Sequence, residues 1–365
     1  MEQKRNKLVI IGNGFDLAHD FKTSYNDFML WYLNDCIEKT INNFSFEDSL
    51  IEATRQGSKK LSQKLSSIKD FTDGAHQNSI NVTKISPFLV KLIDKHKEYN
   101  WVDIENEYYQ SLIRLYEISQ NINSRLSSSD LVKQIEELNE SFEFLRNKLE
   151  KYLKSVQEDV IIKCHINPYG KINQIFKNYF LDFYKNDESK TITFLNFNYT
   201  NTIERYIGKG EDLNHEIIYI HGQLNDSDNP VIFGFGDEVD SYYEKIENLK
   251  INEFLDNFKS FWYFKTDNYQ KLLRFIESEA FDIEILGHSC GLSDRVLLST
   301  VFQHENCQTI KIYYHQRSET ENDFFRKTQE ISRHFRDKAK MRKVIVDRSK
   351  CQSMNDIKHD SLKIP

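Results

Sequence analysis

Apolar positions along the chain keep three different rhythms. From Lys7 to Ile11 they form one run that ends at Gly12 and Gly14, the pattern of a buried strand breaking into a tight turn. Thr23 or Ser24 then caps a helix with Tyr25, Phe28, Tyr32 and Leu33 on its apolar face. From about residue 36 to 190 the spacing is helical and no strand stands out. Trp101, Ile104, Tyr108, Leu112 and Leu115 recur at threes and fours. Leu131, Ile135, Leu138, Phe142, Leu145, Leu149, Tyr152 and Val156 keep a heptad seam, with Ser129 or Asp130 as N-cap. We read this seam as a long helix in an intramolecular hairpin, in preference to a dimeric coiled coil. The stretch 43–81, polar and broken by Gly57 and Gly74, reads as a loop-rich, mobile part of the insert.

After residue 190 short apolar or β-branched runs return, at 191–197, 216–220, 230–235, 281–286 and 309–314. A helix falls at 267–279, a charged helix at 319–340, and a last strand at 343–346. Strands alternating with helices predict an α/β fold, a Rossmann-like, mostly parallel sheet covered on both faces. Residues 1–35 and 190–350 then form one discontinuous nucleotide-binding domain, 36–189 a large α-helical insert, and 351–365 a flexible C-terminal tail.

Composition narrows the function. Hydrophobic content of 39% over 365 residues is enough to fill a core, which excludes wholesale disorder. The net charge is -7 and the 49 basic residues are scattered, without the stripe that a nucleic-acid binder carries. Five cysteines, an odd number without a CxxC, offer neither a disulfide framework nor a zinc ribbon, so a reducing cytoplasm is expected. The apolar run after the basic start is too short for a signal peptide or for a span of about twenty residues, so no membrane is expected.

Four polar clusters stand at predicted strand ends: Gly12 to Asp16, Asn196 to Asn201, His221-Gly222, and Gly287-His288-Ser289. Such ends gather on one edge of a doubly wound sheet, where ligands bind. Gly12 and Gly14 make a common tight turn, and the same turn lets backbone amides approach a phosphate at a helix start. Leu17 stands where a GxGxxG fingerprint has its third glycine, so the usual dinucleotide motif is not met. His221 reads equally as a structural histidine or as a general base at a strand end. Asn198 can hold a water or a sugar hydroxyl but not move a proton as acid or base. Glu204 and Asp294 read as helix-end carboxylates. Asp103 and Glu105, two apart, fall on different helix faces and make a poor acid/base pair. No cluster of metal-binding carboxylates is visible, which weighs against a nuclease.

Taken in order, the phrases Ile10-Ile11-Gly12-Asn13-Gly14-Phe15-Asp16-Leu17-Ala18-His19, Trp101-Val102-Asp103-Ile104-Glu105, Phe197-Asn198-Tyr199-Thr200-Asn201 and Ile220-His221-Gly222 resemble the AbiH family of bacteriophage abortive-infection proteins. Asp20-Phe21-Lys22 stands where many relatives resemble Gly-Leu-Pro. A more distant similarity is to the sirtuin-type NAD-binding fold. Asn198 falls on its T-x-N-x-D element with Thr200 in place of the Asp, His221-Gly222 on its H-G, Val231 to Glu238 on its F-F-G-E, and Gly287-His288-Ser289 on its G-x-S. Eight residues between Gly222 and Val231 leave no room for a zinc module, which removes a protein-deacetylase platform. This sirtuin-like similarity implies NAD as substrate or ligand, no metal, and NAD glycohydrolase activity that depletes NAD on infection. Asn198 and His221 would be catalytic. Gly12, Asn13, Gly14, Asp16, Thr200, Gly287, His288 and Ser289 would bind the nucleotide. A phage-derived trigger or partner protein and a homo-oligomer through the helical insert belong to the same expectation. The alternative is a non-catalytic nucleotide-binding sensor or partner subunit.

Overall fold

The computed structural model describes residues 4–57, 64–99, 103–121, 127–166, 180, 191–207, 215–318 and 320–354. Both ends of the chain enter one five-stranded sheet. Its strands are β1 (Asn6–Ile11), β5 (Ile192–Asn196), β6 (His215–Tyr219), β7 (Phe281–Leu286) and β8 (Cys307–Tyr313), in the order β6-β5-β1-β7-β8 and all parallel. Read in chain order within this sheet, that is the 3-2-1-4-5 arrangement of a doubly wound fold, with β1 in the middle. Unbroken apolar runs such as Leu8 to Ile11 follow from burial on both faces. One face packs Leu8, Ile10, Ile283, Ile285, Ile310 and Ile312 under α7 (Asn268–Ser278), α8 (Arg295–Phe302) and α9 (Phe324–Ser332). The other packs Val9, Ile11 and Phe194 against Phe15 of α1 (Asn13–Ala18), Ile203 and Phe180.

Between β1 and β5 the chain builds the helical part. Ser24 caps α2 (Tyr25–Asn43) by accepting from the Asp27 amide, and Phe28, Tyr32 and Leu33 are buried along it. Asp103 caps α5 (Ile104–Gln120) through the Asn106 amide; Trp101 and Val102 lie outside the described residues. The heptad seam is one helix, α6 (Ser128–Ile166), with every seam position from Leu131 to Tyr152 buried inside the chain. Its cap is Ser127, whose hydroxyl accepts from Asp130, instead of Ser129 or Asp130. The core of this part does not stop at residue 189. Leu224, Val231, Phe233, Phe235, Ile246, Phe254 and Phe258 pack into it, and Phe233 stacks on Phe142 with ring centroids 4.7 Å apart.

Several predicted elements are corrected. The polar stretch 43–81 holds β2 (Ser45–Glu47), β3 (Ile51–Arg55) and α3 (Phe71–Gln77), and leads into β4 (Ile80–Ile85); the three strands form an antiparallel sheet. Short, half-exposed strands with few apolar residues leave little periodicity to read. The run 230–235 forms no strand: Phe235 bridges to Phe258, the Ile232 amide donates to the His221 carbonyl, and Pro230 has no amide to give a ladder. The charged helix at 319–340 is two pieces, α9 and α10 (Lys338–Val344), because Asp337 caps a fresh start; Glu319 lies outside the described residues. Lys343 and Val344 finish α10, and only Ile345 bridges to Ile310. Residues 351–354 are not a free tail: Met354 donates to the Tyr314 carbonyl, and Ser353 and Met354 are buried. Residues 355–365 lie outside the described residues.

Candidate functional site

The strand exits at the carboxyl edge interlock. The Gly14 amide donates to the Gly287 carbonyl at 2.8 Å, and a Cβ on Gly14 would lie 2.6 Å from that oxygen. Gly287 itself has φ +75°, open to glycine at little strain. The turn after β1 and the turn after β7 therefore fit together only as glycines, and a Cβ on Gly12 would meet the His288 backbone. Asn13 ties this turn to the next loop, donating to the Thr23 carbonyl and accepting from the Thr23 hydroxyl.

Two polar groups flank the interlock. The first lies between the exits of β1 and β5. Asn198 donates to the Gly12 carbonyl at 3.1 Å, and its own amide is held by Asn196 Oδ1. Asp16 Oδ2 accepts from Thr200 Oγ1 at 2.6 Å, and Thr202 donates to that hydroxyl. Burial raises the Asp16 carboxyl to about 6, against the lowering effect of these hydrogen bonds.

The second group centres on Asp294, just before α8. Its Oδ1 meets Lys259 Nζ at 2.8 Å and His221 Nε2 at 3.2 Å, while Oδ2 faces His288 Nε2 at 3.6 Å. Lys259, with no exposed surface, also pairs with Glu105 Oε1 at 3.1 Å, and that oxygen accepts from the Gly234 amide. Glu105 comes from α5, so the helical part reaches into the sheet edge. Tyr263 OH lies 3.2 Å from His221 Nε2, with its ring nearly parallel to the imidazole. Phe197 lies against both histidines, at 4.9 Å from His221 and 4.1 Å from His288 between ring centroids.

Burial and then the Lys259 charge hold His221 below its ordinary pKa, and burial pushes His288 down to about 3, so both rings are neutral. The Cys290 amide donates to His288 Nδ1, which places the His288 proton on Nε2. Burial would raise Asp294, but Lys259 and then His221 outweigh it and keep it ionised. Glu105 is raised to about 7 by burial, with Lys259 opposing. Lys259 stands at about 12 because Asp294 and Glu105 overcome its burial. A neutral histidine backed by a buried carboxylate is the arrangement of a general base.

The structure thus brings Gly12, Gly14, Gly287 and His288 into one interlock, and joins Asp16 to Thr200. Asn198 and His221 share no hydrogen-bond partner and belong to different groups. Ser289 is exposed at the rim. The sequence reading sets Asp294 aside as a helix-end carboxylate and Glu105 as half of a poor acid/base pair, and it does not single out Lys259 or Tyr263. One signal was available: Lys259 is a lone cation in the aromatic run Phe258 to Phe264, where a charge is expensive unless paired.

Among the described residues no group of three histidine, cysteine, aspartate or glutamate side chains could hold a metal ion, and no helix is long and apolar enough to cross a membrane. The family model described as bacteriophage abortive infection AbiH matches residues 8–316. The chain belongs to the AbiH family. Comparison with curated proteins gives no match. The AbiH match runs from β1 past β8 and takes in both polar groups and the helical part. Membership gives the protein an anti-phage, abortive-infection role.

Proposed function

We propose that this AbiH protein acts in abortive infection as a cytoplasmic NAD glycohydrolase, binding the nucleotide across the carboxyl edge of the five-stranded sheet. One observation carries the reading: a buried His221–Asp294 pair, 3.2 Å apart, stands at the end of β6 in a 3-2-1-4-5 sheet. Ionisable groups are buried at such an edge where chemistry needs them. The order of the strand-end motifs, which is similar to that of sirtuin-type domains, supports NAD as the nucleotide.

In that reaction the bond between the nicotinamide nitrogen and the ribose carbon breaks, and nicotinamide leaves with the bonding electrons. Water adds its oxygen to the carbon and gives up a proton. With the His221 Nε2 proton directed to Asp294, Nδ1 carries the lone pair that can take it. Asn198 is the group that holds the ribose or the water. The carboxylates Asp294 and Glu105 suit positive charge developing at the ribose carbon.

The test is NAD content in infected cells, with nicotinamide release from purified protein beside it. NAD should collapse with the parent chain, while His221→Ala and Asn198→Ala should each slow hydrolysis by about 10²–10⁴-fold. Protection by the parent with steady NAD would overturn the reading. A non-catalytic sensor is favoured by one feature: Gly287 already occupies the Gly14 amide, so the glycine turn is explained without a phosphate. That reading predicts protection by both variants.

A further inference from the structure

His221 is 5% exposed, so the groups packed on its ring decide how anything reaches it. Phe197 lies edge-on to the imidazole with ring centroids 4.9 Å apart, and Asp294 Oδ1 stands 3.2 Å from Nε2. Both are buried, and both follow strands of the sheet. Tyr263 completes the enclosure. Its hydroxyl is 3.2 Å from the same Nε2, and the two rings are 13° from parallel. Of these three neighbours Tyr263 alone keeps exposed surface. The way to the imidazole therefore leads through Tyr263.

The segment that carries Tyr263 is held at few points. It consists of two short helical turns, Lys259–Trp262 and Tyr263–Lys265. At one end the Lys259 amide donates to the Phe235 carbonyl; at the other Asn268 Nδ2 donates to the Tyr219 carbonyl at the end of β6. Among the described residues no backbone hydrogen bond ties 260–266 to another element. Apolar burial adds little, because Phe261 is 46% and Phe264 81% exposed. Side chains hold the segment instead. Tyr263 stacks on Tyr269 of α7 with centroids 5.5 Å apart. Trp262 donates to the Asp256 carbonyl, and its ring faces Lys265 Nζ at 3.6 Å and the Arg146 guanidinium at 5.3 Å. Arg146 belongs to α6, so this last contact latches the segment to the helical arm. We propose that residues 259–265 are an autoinhibitory lid: Tyr263 closes over His221, and the Arg146–Trp262 contact holds the lid shut. The helical arm then sets how often the imidazole meets a ligand. The consequence for NAD rests on the proposed role of His221; the closure itself does not.

The experiment labels the full chain with diethyl pyrocarbonate, which acylates neutral imidazole nitrogens, and reads each histidine by peptide mass mapping. In the parent His221 should react far more slowly than His76, which is exposed. Arg146→Met keeps the apolar stem and removes the cation from the latch. It should speed His221 labelling by about 2- to 30-fold, the range a cation–π contact is worth in an equilibrium, through a larger open population. His76 should not change, and His334, 1% exposed, should stay protected. Trp262→Ala should act at least as strongly, and Trp262→Phe, which keeps a ring face, should fall between it and the parent. Parent His221 that labels as fast as His76 overturns the lid, and so does an Arg146→Met rate equal to the parent's. A rise at His221 matched by one at His334 reports general loosening and overturns it too. Nicotinamide release measured beside the labelling separates this inference from the reading it rests on. Faster labelling with no nicotinamide from any chain upholds the lid and removes the glycohydrolase.

Discussion

Replacing Lys259 with Met is the sharpest test of the buried charge network. The ammonium group is 2.8 Å from Asp294 and 3.1 Å from Glu105, and the side chain has no exposed surface. At an effective dielectric near 20 each of these attractions is worth roughly 5–6 kcal/mol before desolvation is counted. Methionine keeps the length and apolar bulk of the stem but leaves Asp294 and Glu105 buried without a cation. Removing one partner of a buried pair destabilises by about 3–5 kcal/mol, and that is the expected loss at pH 8. The sign of the pH dependence follows. Without the ammonium both carboxyls have folded-state pKa values above their unfolded ones, so the folded protein binds extra protons and the deficit shrinks as pH falls. In the parent Glu105 is already raised to about 7, so it too gains stability as pH drops through that value. Urea titrations of both proteins at pH 8 and pH 5.5, followed by circular dichroism, give the two differences. An exposed control, Lys271→Met at the Asp267 pair, should leave the midpoint unchanged. A Lys259→Met loss below about 0.5 kcal/mol at pH 8, or one that grows toward acid, would refute the reasoning.

Leu145 is fully buried on the α6 seam, so Leu145→Ala should destabilise by about 2–5 kcal/mol in urea titration and leave the oligomeric state unchanged. Gly14→Ala should destabilise the fold and loosen the β1–β7 turn, read as faster amide exchange at Gly12 and Gly14, because the new Cβ meets the Gly287 carbonyl at 2.6 Å. If the enzyme reading holds, the acid limb of kcat/KM should fall below 6.5, since burial and Lys259 keep His221 neutral to lower pH; a limb at or above 6.5 would contradict that.

The parallel sheet was legible because its strands are buried on both faces and print apolar runs, unbroken at Leu8 to Ile11 and interrupted by Asp282 and Glu284 at Phe281 to Leu286. The α6 seam was legible for the opposite reason, since one buried stripe on a long helix repeats from Leu131 to Tyr152. β3 was not, because Ile51 and Ala53 alone point inward over five residues. The glycine turn and His221 announced themselves as breaks at strand ends. Asp294, Glu105 and Lys259 carry no such mark: they come from three separate segments and acquire their chemistry only by facing one another. Asp294 looks like any carboxylate at a helix start, and Glu105 like any acid on a helix face. What separates them from the rest is burial, which no local spacing encodes.

Glu105 also makes the helical arm hard to exchange between relatives. A chimera that took residues 36–189 from another chain would inherit whatever side chain that donor places opposite Lys259. If it is not an acid, the recipient keeps a buried ammonium half neutralised, and the penalty appears at His221, in a segment the graft never touched. Outward positions such as Val90 and Ile118 are free of that constraint. Variation in the arm is therefore channelled to its outer surface, while the carboxylate that pairs with Lys259 must change together with residues more than a hundred positions downstream.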